Sequence, residues 1–197
     1  MANTAVCTIE LKMSNIKRRA LHDTTQIFRA ACTYIAGICE EHWSSIEALP
    51  GMKARKSYVE GLIHTTKYNA AAYPEFDKKF YKFPSYYRRS AIAFVLGALT
   101  SYHTRLEQYK TERYNAVSNG KKFRQKPPTL NIEACAWPVM YKKEMLEMDG
   151  KRVYIKAFIR NTWDWIRVAC PNRDLKDLIE KSKTGAAQCP TLVYKYH

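Results

Sequence analysis

The chain has 197 residues and a formal net charge of +15, with 33 Lys and Arg against 18 Asp and Glu. Apolar residues make 46% and aromatics 13%, which excludes a disordered polyelectrolyte; 7 Gly and 8 Pro exclude a collagen-like or flexible low-complexity chain. What remains is a folded basic protein with an anionic partner, nucleic acid before a membrane surface or a basic structural assembly.

Along the chain, residues 4–13 read TAVCTIELKM and alternate Cys7, Ile9 and Leu11 with Val6, Thr8, Glu10 and Lys12, which predicts a strand. Leu21, Ile27, Phe28, Ala31, Tyr34, Ile35 and Ile38 recur at helical spacing and predict a first helix ending near Trp43, before the breaker Leu49-Pro50-Gly51. A second helix is expected over residues 55–71, with Tyr58, Leu62, Ile63 and Tyr68 inward. A third starts after Phe83-Pro84 with Ser85 as N-cap and runs to about Tyr114. Its stripe of Tyr87, Ala91, Val95, Ala98, Tyr102, Leu106 and Tyr109, widened by Phe94, Leu96 and Leu99, predicts a buried middle.

Residues 119–128, NGKKFRQKPP, carry four cations and no acid between Gly and Pro, and read as a basic linker. Lys121, Lys122, Arg124 and Lys126 are either a solvated loop or a phosphate contact. After Pro128 the period turns to two. One or two strands are expected over residues 130–141, and a hairpin with Asp149-Gly150 at its turn joins residues 145–148 to 152–159. Arg160-Asn161-Thr162 turns into a strand over residues 163–169; a short helix over 174–182 and a strand over 191–196 follow. The fold class is α+β: a small antiparallel oligonucleotide-binding-like β-barrel, with a three-helix bundle inserted after the first strand. The expected boundaries are 1–13 with 129–197 for the barrel, 14–118 for the helical domain and 119–128 for the linker.

The hairpin sorts residues by chemistry. Val153, Ile155, Ala157 and Ile159 share one face; Arg152, Tyr154, Lys156, Phe158 and Arg160 share the other, continued by Trp163, Trp165 and Arg167. Cations and rings interleaved on one face suit a nucleic-acid surface, since cations displace counterions and rings stack on bases. The alternative is a second buried face under the helices. Arg88 and Arg89, with Tyr86 and Tyr87, mark the start of the third helix. Cations there oppose the helix dipole, as a tolerated surface cost or as an anion site.

Catalytic motifs are missing: there is no G-x-S-x-G, P-loop lysine motif, G-x-G-x-x-G or H-E-x-x-H. The six cysteines form no C-x-x-C pair, and only Cys39 with His42 falls at one-turn spacing, so free thiols and no metal are expected. The longest uncharged run, residues 90–104, is shorter than the roughly 20 residues that span a bilayer, and the amino terminus has no signal-peptide pattern. A cytoplasmic chain is expected.

Residues 83–109, FPSYYRRSAIAFVLGALTSYHTRLEQY, resemble a segment of transposon-encoded TnpB proteins and their descendants, the small type V CRISPR effectors. The paired Arg, the Ala-Ile and Leu-Gly middle and the Ser-Tyr end carry the resemblance. GKKFRQKPP resembles the basic loop of that group, and the hairpins and the ending CPTLVYKYH resemble its strands leading to the nuclease domain. The resemblance implies a "wedge" barrel with an inserted "recognition" bundle that hold guide RNA and read a short motif in target DNA. Tyr86, Tyr87, Arg88 and Arg89 then approach the target duplex, while Arg152, Tyr154, Lys156, Trp163, Trp165 and Arg167 face RNA. In that group a RuvC-like nuclease with carboxylate ligands for magnesium follows the strand that here ends at His197. The resemblance therefore implies no catalytic residue and no cofactor in these residues. Its implied partners are guide RNA, target DNA and a separate RuvC-like subunit or a second copy. A stand-alone nucleic-acid-binding regulator and a basic structural RNA-binding protein remain as alternatives.

Overall fold

A computed structural model describes residues 8–149, 152–169, 173, 176, 177, 180, 181 and 189–194. The order is α1 (Asn15–Glu41), α2 (Trp43–Ala48), α3 (Gly51–Ile63), α4 (Glu75–Lys79), α5 (Ser85–Ser118), α6 (Ile132–Cys135), β1 (Leu146–Asp149), β2 (Arg152–Ile159) and β3 (Thr162–Val168). The chain divides into two compact units, residues 1–26 with 137–197 and residues 27–136. The class is mixed α and β.

In the first unit the sheet is open, three-stranded and antiparallel, in the order β1-β2-β3. The Asp149↔Arg152 pair closes the expected hairpin, whose two turn residues lie outside the described set. Arg160 and Asn161, at φ 50° and 61°, make the second turn between the paired Ile159 and Thr162. Two left-handed residues match the right-handed twist of the strands they join. Past β3, Lys12 and Ala169 exchange both backbone hydrogen bonds, at 3.1 and 3.2 Å, which brings the amino-terminal segment to the sheet as a single bridge. Val139 and Thr191 form another such bridge.

One expectation after Pro128 changes. Residues 132–135 are one helical turn, because the Asn131 side chain accepts the N–H of Ala134 at 3.0 Å. The helix expected over 174–182 and the end of the last strand fall largely outside the described residues. Arg173, Lys176, Asp177, Glu180 and Lys181 are helical.

The second unit is helical. Its core takes Phe28, Ala31, Cys32, Ile35, Ile38 and Cys39 from α1, Ile46, Val59 and Ile63 from α2 and α3, and Tyr87, Ala91, Ile92, Val95, Leu96 and Leu99 from α5. Phe76, Phe80 and Phe83 close it with ring centroids 4.9 to 6.1 Å apart. Arg55 caps α2, donating to the carbonyls of Glu47 and Leu49. The second long helix stops at Ile63, earlier than its pattern suggests. There the chain turns back, and its own groups take the terminal carbonyls: Asn69 Nδ2 donates to Gly61 at 2.8 Å and the Tyr73 N–H to Leu62 at 2.8 Å. His64 binds the Asp77 carboxylate at 2.9 Å. Tyr68, expected inward, is 90% exposed.

The third long helix begins with Ser85 as its first residue and Pro84 as cap, and runs to Ser118. Gly120, at φ +65°, ends it in a Schellman motif. The Gly120 N–H bonds to the Val117 carbonyl and the Lys121 N–H to that of Ala116.

Candidate nucleic-acid interface

The pleat puts Leu146, Val153, Ile155, Ala157, Ile166 and Val168 on a buried face. The opposite face is where the expected residues meet. Its cross-strand pairs are Tyr154↔Arg167, Lys156↔Trp165 and Phe158↔Trp163. Tyr154, Lys156, Phe158, Trp163 and Trp165 are partly exposed, and Arg152 and Arg167 are exposed. The face behind them, with Val153, Ile155, Ala157, Ile166 and Val168, is buried. The Lys156 ammonium stands 5.8 Å from the Trp165 ring centroid, and Phe158 meets Trp163 edge-on at 5.6 Å. A hydrogen bond to the Tyr154 hydroxyl, then the charges of Tyr154 and Asp149, keep the Arg152 guanidinium firmly protonated. On β1, Glu147 and Asp149 lie opposite Tyr154 and Arg152, so one side of the face is acidic.

The start of α5 divides the four residues expected there. Tyr87 is fully buried, with its ring against Phe28 and Phe83, and burial pushes its phenol well above the ordinary range. The Arg88 side chain is 8% exposed and gives two N–H groups to Glu60 Oε1, at 3.1 and 3.2 Å. As placed, neither can reach a ligand: one is core and the other is committed to an ion pair. Tyr86 and Arg89 form the surface part, with the Arg89 guanidinium 5.2 Å from the Tyr86 ring centroid. Sequence reading overlooked their neighbours Tyr81 and Lys82. Lys82 is left-handed at φ 54°, in the turn closed by the Phe83 N–H on the Phe80 carbonyl. Phe80 and Phe83 are buried, so Tyr81, 72% exposed, stands outward with the Lys82 ammonium 5.2 Å from its ring. The signal was available: an F-Y-K-F run lets two Phe anchor while the residues between them turn out.

The basic linker also packs against α5. Phe123 packs edge-on against Tyr109 of α5 at 5.3 Å, and Lys121, Lys122, Arg124 and Lys126 are all exposed. Of the one-turn pair Cys39 and His42, Cys39 is buried, while His42 Nε2 bonds the Tyr73 hydroxyl at 2.8 Å and that hydroxyl donates to Glu41 at 2.7 Å. Among the described residues no three His, Cys, Asp or Glu converge as a metal site, and no helix is long and apolar enough to cross a membrane.

The profile of the Aq_aa04 family matches residues 5–159, and the chain belongs to that family. No curated protein and no solved structure matches it.

Proposed function

We propose that the chain is a nucleic-acid-binding protein that holds RNA on the open face of its three-stranded sheet. The observation that carries this reading is the ladder of Tyr154, Lys156, Phe158, Trp163, Trp165 and Arg167 on the face opposite the buried one. The net charge of +15 and the four exposed cations at 121–126 support an anionic, extended partner. Tyr86 and Arg89, with Tyr81 and Lys82, offer a second surface, in the helical unit, suited to target DNA.

The finer reading is the nucleic-acid-binding part of an RNA-guided, TnpB-like DNA-targeting protein. It rests on the resemblance of residues 83–109 and of the basic loop. In this reading the strands complete an oligonucleotide-binding-like barrel, guide RNA and target DNA are the partners, and a RuvC-like partner cuts. Affinity purification from a native-like host, followed by sequencing of bound RNA and mass spectrometry of bound protein, tests it. One enriched structured RNA, required for binding double-stranded DNA, is the expected result. Bulk RNA lost at moderate salt, with no protein partner, overturns the guided reading and leaves a generic basic binder.

A further inference from the structure

We infer that the sheet face takes an unpaired strand of about three nucleotides, pulled out so that its bases part onto the rings. The inference presupposes that this face binds nucleic acid, and adds which form it binds and along which path. The rings set the form. Successive residues on one face of a strand are about 6.7 Å apart, twice the roughly 3.4 Å between stacked bases in a duplex strand. Rings at that pitch cannot follow a stacked helix base by base, and a paired strand offers them no open base faces. An unpaired strand stretched to the pitch of the sheet meets one ring-bearing row per nucleotide: Tyr154 with Arg167, Lys156 with Trp165, then Phe158 with Trp163.

Charge sets the path. Lys156 and Arg167 lie on β2 and β3, whereas Glu147 and Asp149 line β1. Phosphates are attracted to the first pair and repelled by the second, so the backbone follows β2 and β3. β1 also stops short: its last partner on β2 is Ile155, which leaves Lys156 and Phe158 outside the acidic border. Contact by ring face and ammonium reads no base edge, so the site tolerates any sequence.

The test uses the full chain with labelled oligouridine and, as competitor, a blunt RNA hairpin of equal charge. Oligouridine is expected to bind at least tenfold more tightly at equal salt. Trp165→Ala and Trp163→Ala should each weaken oligouridine about 5- to 100-fold, with hairpin affinity unchanged and the salt slope unmoved, while Trp165→Phe restores binding. Hairpin bound as tightly as oligouridine, or folded alanine variants that bind oligouridine normally, overturns the inference and leaves the nucleic-acid reading intact. Failure of both ligands to bind overturns that reading as well. Where an alanine variant does not fold, tryptophan fluorescence of the unaltered chain decides: quenching by oligouridine but not by the hairpin supports stacking, and no quenching overturns it.

Discussion

Thr24 Oγ1 accepts the backbone N–H of Phe158 at 2.7 Å and donates its own proton to the Ala20 carbonyl at 2.7 Å. This threonine does the work of a missing strand residue. β1 pairs with β2 only as far as Ile155, and the Lys156 N–H goes to the Met145 carbonyl beyond it. The next N–H on that edge, that of Phe158, meets a hydroxyl from α1 in place of a β partner. The register that sets Phe158 against Trp163 is therefore anchored from a helix 134 residues earlier in the chain.

Replacing Thr24 by valine keeps the shape and leaves the Phe158 N–H without its acceptor. Such a loss costs about 1–3 kcal/mol. Urea unfolding should show it, and Thr24→Ser should recover most of it. A Thr24→Val chain as stable as the original would show that water satisfies the Phe158 N–H instead.

The two adjacent arginines of α5 should behave oppositely. Arg88→Ala strands Glu60, which is 29% exposed, and should lower stability by about 2 kcal/mol, the partly wet partner keeping the cost below that of a fully buried pair. Arg89 is 53% exposed and stands 3.9 Å from the other Glu60 oxygen, so Arg89→Ala should change stability by less than about 0.5 kcal/mol. In duplex-binding titrations on the folded variants, only Arg89→Ala should weaken affinity. Equal stability losses would show that the ion pair is shared evenly.

Reversing the charge of Glu147 tests the acidic border of the sheet. Glu147→Lys should tighten single-strand binding several-fold and steepen the salt dependence by about 0.7 in log–log slope, the effect of one added phosphate contact. The same substitution on a face that never meets nucleic acid would leave both quantities where they were.

The thiols should separate by burial. Cys135 is exposed, while Cys32 and Cys39 are buried. Burial, and then the nearby Glu40 carboxylate, push the Cys39 thiol up to about 12 from its ordinary 9.0. The fold thus keeps the Cys39 proton at pH values where the unfolded chain has released it. The corresponding stability is complete below pH 9 and is lost as the pH rises from 9 towards 12. Alkylation at neutral pH with peptide mapping should label Cys135 quickly, and Cys32 and Cys39 only after unfolding. Rapid labelling of Cys39 in the folded chain would contradict its burial.

Features set by neighbouring residues were readable in the sequence: the β1–β2 hairpin through Asp149-Gly150, the alternation of Val153, Ile155 and Ala157 with Tyr154, Lys156 and Phe158, and the long stripe of α5. Features set by distant partners were not. Arg88 reads as a surface cation until Glu60, 28 residues away, is brought beside it. The end of α3 depends on Asn69 and Tyr73 folding back onto its last carbonyls, and no helical period records that event. Tyr87 lies on the predicted apolar stripe and is core, so pairing it with Arg88 as a ligand contact gave two neighbours one role where a helix sends them different ways.

The short outer strand also bears on self-association. A sheet edge with open backbone groups can template a further strand from a second molecule, and ordered stacking of that kind is how aggregates grow. Along β1 the Leu146 carbonyl is already occupied by the Lys143 N–H, and Glu147 and Asp149 fill two of its four places. Two copies meeting edge to edge there would press carboxylate against carboxylate. The same two carboxylates, set on a strand of only four residues, thus disfavour edge-to-edge growth of the sheet.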